Sequence, residues 1–251
     1  MAVYPDLQGK VVLVTGGGSG IGEFIVREFA RQKAKVAFFD IATGPSRALA
    51  KELTDAGAPV HFEQCDLTSI AALKAGLAAV KARLGAIQVL INNAANDERH
   101  PTESVTEAIW DSRIAVNLKQ QFFCAQGVLP DMKNAGGGAI VNLGSVSWMI
   151  GQGEMAAYTA SKSGVIGLTR SLARDYGQFG VRVNAVAPGW IMTQRQLDKW
   201  LTPEAEARLM ERQCLKRRLE PVEIARFIVF LASDDASACT NQHYVVDGGW
   251  V

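Results

Sequence analysis

Little in this sequence speaks for metals, disulfides, membranes or polyanions. Cysteine occurs four times in 251 residues, at Cys65, Cys124, Cys214 and Cys239, and never in Cys-x-x-Cys spacing. That scatter argues against a disulfide framework or a zinc site and leads us to expect buried thiols in a reducing cytoplasm. Histidine is scarcer: His61, His100 and His243 lie far apart and make no metal-ligand pattern. No apolar run approaches the ~18 residues of a membrane span. The opening MAVYPDLQGK lacks the apolar segment of a secretory leader. An excess of one charge is missing too: 26 Lys and Arg face 25 Asp and Glu, a formal net charge of +1. Neither nucleic acid nor an anionic membrane is therefore an expected partner. Low-complexity linkers and composition breaks are also absent, so residues 1–251 are expected to form a single domain.

What is present is a globular composition, 48% hydrophobic and 20% charged, with a regular alternation. The runs at 10–15, 35–39, 59–63, 87–92, 139–144 and 181–187 read as strands. Several are apolar almost throughout, as strands covered on both faces should be. Helical patterns lie between them, among them 21–32, 69–84 and 158–177. This alternation predicts an α/β fold with a doubly wound parallel sheet. Residues 190–214 break the rhythm and read as one or two helices beside the sheet's carboxyl edge, either a substrate lid or a pair that merely covers core.

The first strand runs into a glycine-rich turn and then a helix, with Gly16, Gly20 and Gly22 spaced G-x-x-x-G-x-G. Glycines there let backbone N–H groups and a helix N-terminus approach a pyrophosphate. The second strand ends at Asp40, 18 residues beyond Gly22. A carboxylate in that place accepts hydrogen bonds from adenosine ribose hydroxyls and repels a 2′-phosphate, which favours NAD over NADP. The plainer alternative is a helix cap.

TGGGSGIG (15–22), NNAA (92–95), Asn117 in VNL, Ser145 in NLGSVS, YTASK (158–162) and APGWIMT (187–193) follow one another in order. On these motifs the chain resembles the short-chain dehydrogenase/reductase family over essentially its whole length. Ala95 stands where that family usually has glycine. The resemblance implies a single Rossmann-type domain with a seven-stranded parallel sheet. It implies cofactor contacts from Gly16, Ser19, Gly20, Ile21, Gly22, Asp40, Ile41, Asp66, Leu67, Asn93, Ala94, Ala95, Pro188, Gly189, Ile191 and Thr193. It also implies a catalytic set of Asn117, Ser145, Tyr158 and Lys162, of which Tyr158 and Lys162 also touch the cofactor. Asn117 would support a water chain carrying protons from Lys162 to solvent.

A phenol titrates near ~10 and is a poor base at neutral pH, but a nearby cation lowers that value. Positions i and i+4 share a helix face about 6 Å apart along the axis. Lys162 is thus expected near the Tyr158 hydroxyl, with Ser145 holding the reacting oxygen. For the substrate, Asn96, Arg99, His100, Ser147, Glu154, Trp190 and Gln194 are candidates, with Trp148 and Gln152 beside them. Amides, charges and indoles suit a polyhydroxylated ligand. NNAANDERH, CLKRR (214–218), FLASDDASACT (230–240) and VVDGGW (245–250) resemble the aldose 1-dehydrogenase branch, which oxidises cyclic sugars at C1 to lactones. A dehydrogenase of another alcohol (polyol, hydroxysteroid or 3-oxoacyl thioester) and a silent nucleotide sensor are the alternatives. The family resemblance also implies a homo-oligomer, a tetramer by analogy.

Overall fold

The computed structural model describes residues 2–251. Seven strands form one parallel sheet: β1 (Val11–Thr15), β2 (Lys35–Asp40), β3 (Val60–Gln64), β4 (Val89–Asn92), β5 (Gly138–Leu143), β6 (Val181–Pro188) and β7 (His243–Val246). Their order across the sheet is β3-β2-β1-β4-β5-β6-β7. Every residue of β1 and β4 is buried, because helices cover both faces of the central strands. The short edge strand β7 was not distinguishable as a run and came only with the family count.

The helices are α1 (Gly20–Arg31), α2 (Thr43–Asp55), α3 (Ile70–Leu84), α4 (Glu107–Ile114), α5 (Gln120–Asn134), α6 (Ala156–Tyr176), α7 (Gln194–Lys199), α8 (Pro203–Arg212) and α9 (Pro221–Ala232). On one face Ile25, Val26 and Phe29 of α1 pack with Ile224, Ala225 and Ile228 of α9 over Val14 and Ile91. On the other, Leu73, Leu77 and Val80 of α3 join Cys124, Val128 and Leu129 of α5 and Leu172 of α6. Each fully buried aliphatic of this kind contributes about 1.5–3 kcal/mol.

The strand order reverses between β1 and β4, so the crevice beyond their carboxyl ends is where an α/β sheet of this type receives a ligand. The segment 190–214 forms α7 and α8 at that edge, where Ile191 and Leu209 are buried and line the crevice with Trp190, Thr193 and Gln194. Cys65 and Cys124 are buried, which raises the Cys65 thiol to about 11. Cys214 is exposed, because it follows the end of α8 and only its backbone N–H is held, by Gly249 O at 2.9 Å. Among the described residues no helix is long and apolar enough to cross a membrane. Nor do three His, Cys, Asp or Glu side chains gather to hold a metal.

Candidate active site

Beyond Thr15 the chain turns through Gly16 into α1, with Gly16 (φ 66°) and Gly20 (φ 58°) in the left-handed region. A Cβ on Gly16 would lie 2.8 Å from Ala94 Cα, and one on Gly22 would collide with the Gly16 carbonyl oxygen. Such a turn can be built only without side chains. Asn93 braces it, donating through Nδ2 to Thr15 O (3.0 Å) and Gly16 O (2.9 Å). Thr15 Oγ1 accepts in return from the N–H groups of Asn93 (2.9 Å) and Ala94 (3.0 Å).

Asp40 is not the cap of α2, whose N-cap is Ala42. Its Oδ2 accepts from Gly18 N and its Oδ1 from Ala42 N, both at 2.9 Å. The carboxylate thus holds the turn while bordering a cleft of about 1230 Å³. That volume exceeds the roughly 300–1,000 Å³ of a pocket for one small ligand. Gly16, Ser19, Gly20, Ile21, Asp40, Ile41, Asp66 and Leu67 line it, as do Asn93, Ala94, Ala95, Pro188, Gly189, Ile191 and Thr193. Gly22 does not reach the cleft; its role is the close packing against Gly16.

Tyr158 is the third residue of α6, and Lys162 follows one turn later on the buried face of that helix. Ser145 stands close enough to the Tyr158 hydroxyl to favour its deprotonated form. Ser145 Oγ accepts from Ser147 N at 3.1 Å, which leaves its own hydrogen for another oxygen. Ser147 Oγ lies alongside, buried and unpartnered. Lys162, 1% exposed, donates to Leu143 O at 2.7 Å. Its ammonium lies over the Tyr158 ring, 5.6 Å from the ring centre, and makes no hydrogen bond to the hydroxyl.

Burial sets the electrostatics of this pair. Burial pushes the Tyr158 phenol well above its ordinary value, the Asp97 charge adds to this, and the nearby Ser145 opposes it. Burial also pulls Lys162 down to about 7, against the opposing pull of Asp97. Both shifts have one cause: surroundings of low polarity penalise whichever form is charged. Burial thus works against the phenolate and the ammonium alike, and a positive charge beside Tyr158 would work the other way.

Asn117 lies in a π-helical segment, Ala115–Lys119, between α4 and α5. The wider turn carries it inward to full burial. Its Oδ1 accepts from Asn96 N (2.8 Å) and its Nδ2 donates to Asn96 O (3.0 Å), so this side chain clamps the loop after β4. The Asn96 side chain closes that loop itself, accepting from Glu98 N at 3.0 Å.

Of the substrate candidates, Asn96, Arg99, Ser147, Trp190 and Gln194 line the cleft together with Gln152. His100 and Glu154 do not. Glu154 is exposed at a positive φ of 60° between Gly153 and Met155, which do line the cleft, and its carbonyl holds His100 N at 2.8 Å. The His100 ring faces Arg113 instead, at 3.2 Å. Trp148 is turned outward and stacks on His243 at 6.3 Å.

Sequence reasoning missed Asp97, Arg195 and Gln196. Arg195 Nε donates to Asp97 Oδ1 (2.7 Å), its NH2 to Glu98 Oε2 (2.8 Å), and Lys199 Nζ reaches the same Glu98 oxygen at 3.3 Å. Arg195, then Lys199, holds the Glu98 carboxyl below its usual range. The Arg99 guanidinium lies 4.2 Å from the Trp200 ring centre. An acidic pair at 97–98 and two bases one turn apart on α7 were visible as charges, but nothing local pairs them across ~100 residues.

The profile of a family described as "Enoyl-(Acyl carrier protein) reductase" matches residues 16–251. D-xylose 1-dehydrogenase of Caulobacter vibrioides is 49% identical over 249 residues, covering 99% of this chain and 98% of that protein. A protein of Rhizobium meliloti assigned as galactose dehydrogenase GalD is 48% identical, covering 98% of this chain and 96% of its own. A solved structure of a protein from Sinorhizobium meliloti 1021, assigned as a short-chain alcohol dehydrogenase, superposes with a TM-score of 0.93 at 34% identity over 98% of both chains. With the glycine turn, the serine–tyrosine–lysine cluster and these relatives together, the chain belongs to the short-chain dehydrogenase/reductase family and is an oxidoreductase acting on CH–OH donors.

Proposed function

We propose that this enzyme uses NAD to oxidise a cyclic aldose at C1 to the sugar lactone, with Tyr158 as the general base. One observation carries the reading: Ser145, Tyr158 and Lys162 line the same cleft as the glycine turn and Asp40. The names of the relatives, xylose and galactose dehydrogenases, point to an aldose.

Each Asp40 oxygen accepts one backbone N–H and keeps a lone pair for a ribose hydroxyl, while its charge opposes a phosphate on that ribose. When bound, an oxidised nicotinamide supplies the hydride acceptor and a positive charge, neither of which a side chain here provides. Ser145 directs its hydroxyl hydrogen to the reacting oxygen and holds it beside the phenol. Tyr158 removes the C1 hydroxyl proton as the carbon–oxygen double bond forms. Lys162, one turn on, receives that charge change through space and relays the proton outward. The segment 190–214 serves as lid over the sugar.

The test is a panel of D-xylose, L-arabinose, D-galactose and L-fucose against polyols and hydroxysteroids, followed by NADH absorbance. Turnover of at least one aldose, well above any other alcohol, is expected. Efficient oxidation of another alcohol class with no sugar turned over would overturn the reading.

A further inference from the structure

The outer wall of the cleft holds a chain of side chains that the proton chemistry does not use. Trp190, next to Gly189, donates its indole N–H to Gln196 Oε1 at 2.8 Å. The other end of that amide, Nε2, donates to Asp97 Oδ2 at 2.7 Å. The second Asp97 oxygen accepts from Arg195 Nε at 2.7 Å. The order is thus indole, amide, carboxylate, guanidinium.

The chemistry of this chain is directional. An indole N–H can only donate and a carboxylate can only accept. A side chain placed between them must offer an acceptor on one side and a donor on the other, which a carboxamide does with a single group. The neighbours therefore dictate which end of the amide faces which. Gln196 is itself seated by the start of α7, its N–H lying 2.9 Å from Thr193 O and 3.4 Å from Thr193 Oγ1. Both partners of Gln196 line the cleft, Trp190 after β6 and Asp97 in the loop after β4.

We infer that Gln196 is a positioning residue: by joining Trp190 to Asp97 it holds the indole against the bound sugar and fastens α7 to the loop after β4. The identity of the ligand as a sugar rests on the proposed function; the fastening does not. Charges facing this amide come from Asp97 and Glu98 on the loop and from Arg195 and Lys199 on α7. Arg99 is engaged with Trp200, Asp198 accepts from Gln194, and Tyr158 and Lys162 feel Asp97 from α6.

Two substitutions separate this role from simple support of the helix. Gln196→Leu removes both bonds at every pH and strands the indole donor. It should raise the aldose KM about tenfold, with kcat changed far less and NAD affinity unchanged. Gln196→Glu places a second carboxylate against Asp97 at pH 8 and should do at least as much damage. Its protonated form, however, has an O–H to donate to Asp97 and a carbonyl to accept from the indole, so it imitates the amide. The neighbouring Asp97 charge favours that form, and the KM should return toward the wild-type value as the pH falls to about 5.

The experiment measures KM for the preferred aldose at several pH values in wild type, Gln196→Leu and Gln196→Glu. Amide hydrogen exchange of residues 190–200 is followed at the same pH values, each variant against wild type. Recovery of both KM and protection in acid by Gln196→Glu alone supports the inference. Wild-type KM and protection in Gln196→Leu, or no acid recovery in Gln196→Glu, overturns it. If the wild-type protein oxidises no sugar but the exchange pattern follows Gln196 and pH as stated, the aldose reading falls and the fastening stands.

Discussion

Around Gly16 the wall of the cleft is main chain, packed so closely that one Cβ would not fit; around Asp97 it is long charged side chains meeting at the surface. Beneath the first region lie Leu13, Val14 and Ile91, each fully buried. In the second, the Arg195 and Glu98 side chains are 41% and 35% exposed. Burial is worth about 1.5–3 kcal/mol per aliphatic side chain, and an exposed ion pair about 0.2–1 kcal/mol. The difference teaches how one cleft combines a rigid end with an adjustable one. The end at the glycine turn is a fixed mould, whereas the end at α7 is held by a few weak and individually separable contacts.

The largest effect that can sharpen this contrast is at Asp40. Asp40→Ala should weaken NAD about 10- to 100-fold, the worth of charge-assisted hydrogen bonds, and NADP by much less. Titrating both cofactors checks this; an equal loss for the two would mean that Asp40 acts only by holding Gly18 and Ala42. A smaller effect is expected at the lid. Arg195→Ala should raise the aldose KM only about two- to fivefold at low salt, a difference that fades as salt screens the wild-type pairs. A series of KM values against ionic strength tests it, and a large, salt-independent loss would show that the lid is as firmly built as the turn.

The same contrast explains what could be read in advance. The glycine turn, the strand ending at Asp40, and Tyr158 and Lys162 at helical spacing are local features, fixed by backbone geometry within a few residues. The buried strands announced themselves by apolar runs, while β7, four residues at the sheet's edge, did not. At the α7 end, contacts depend on how two distant segments meet. Asp97 with Arg195 and Gln196 went unseen, and His100 and Glu154 were expected in a cleft that neither of them lines. The Tyr158–Lys162 pair was legible as a pair but not as an electrostatic state, because spacing shows proximity and not the degree of burial.

The central claim is that Tyr158 is the base. Burial raises its titration, so the active, deprotonated form is favoured as pH rises and lost as pH falls. The direct measurement is kcat/KM for the preferred aldose against pH in wild type and Tyr158→Phe, with NAD affinity determined alongside. Wild type should climb about tenfold per pH unit on its acid limb. The variant should lose about 10²- to 10⁴-fold at alkaline pH and lack the wild-type acid limb, while binding NAD normally. A Tyr158→Phe enzyme that keeps comparable turnover with the same pH dependence would contradict the account.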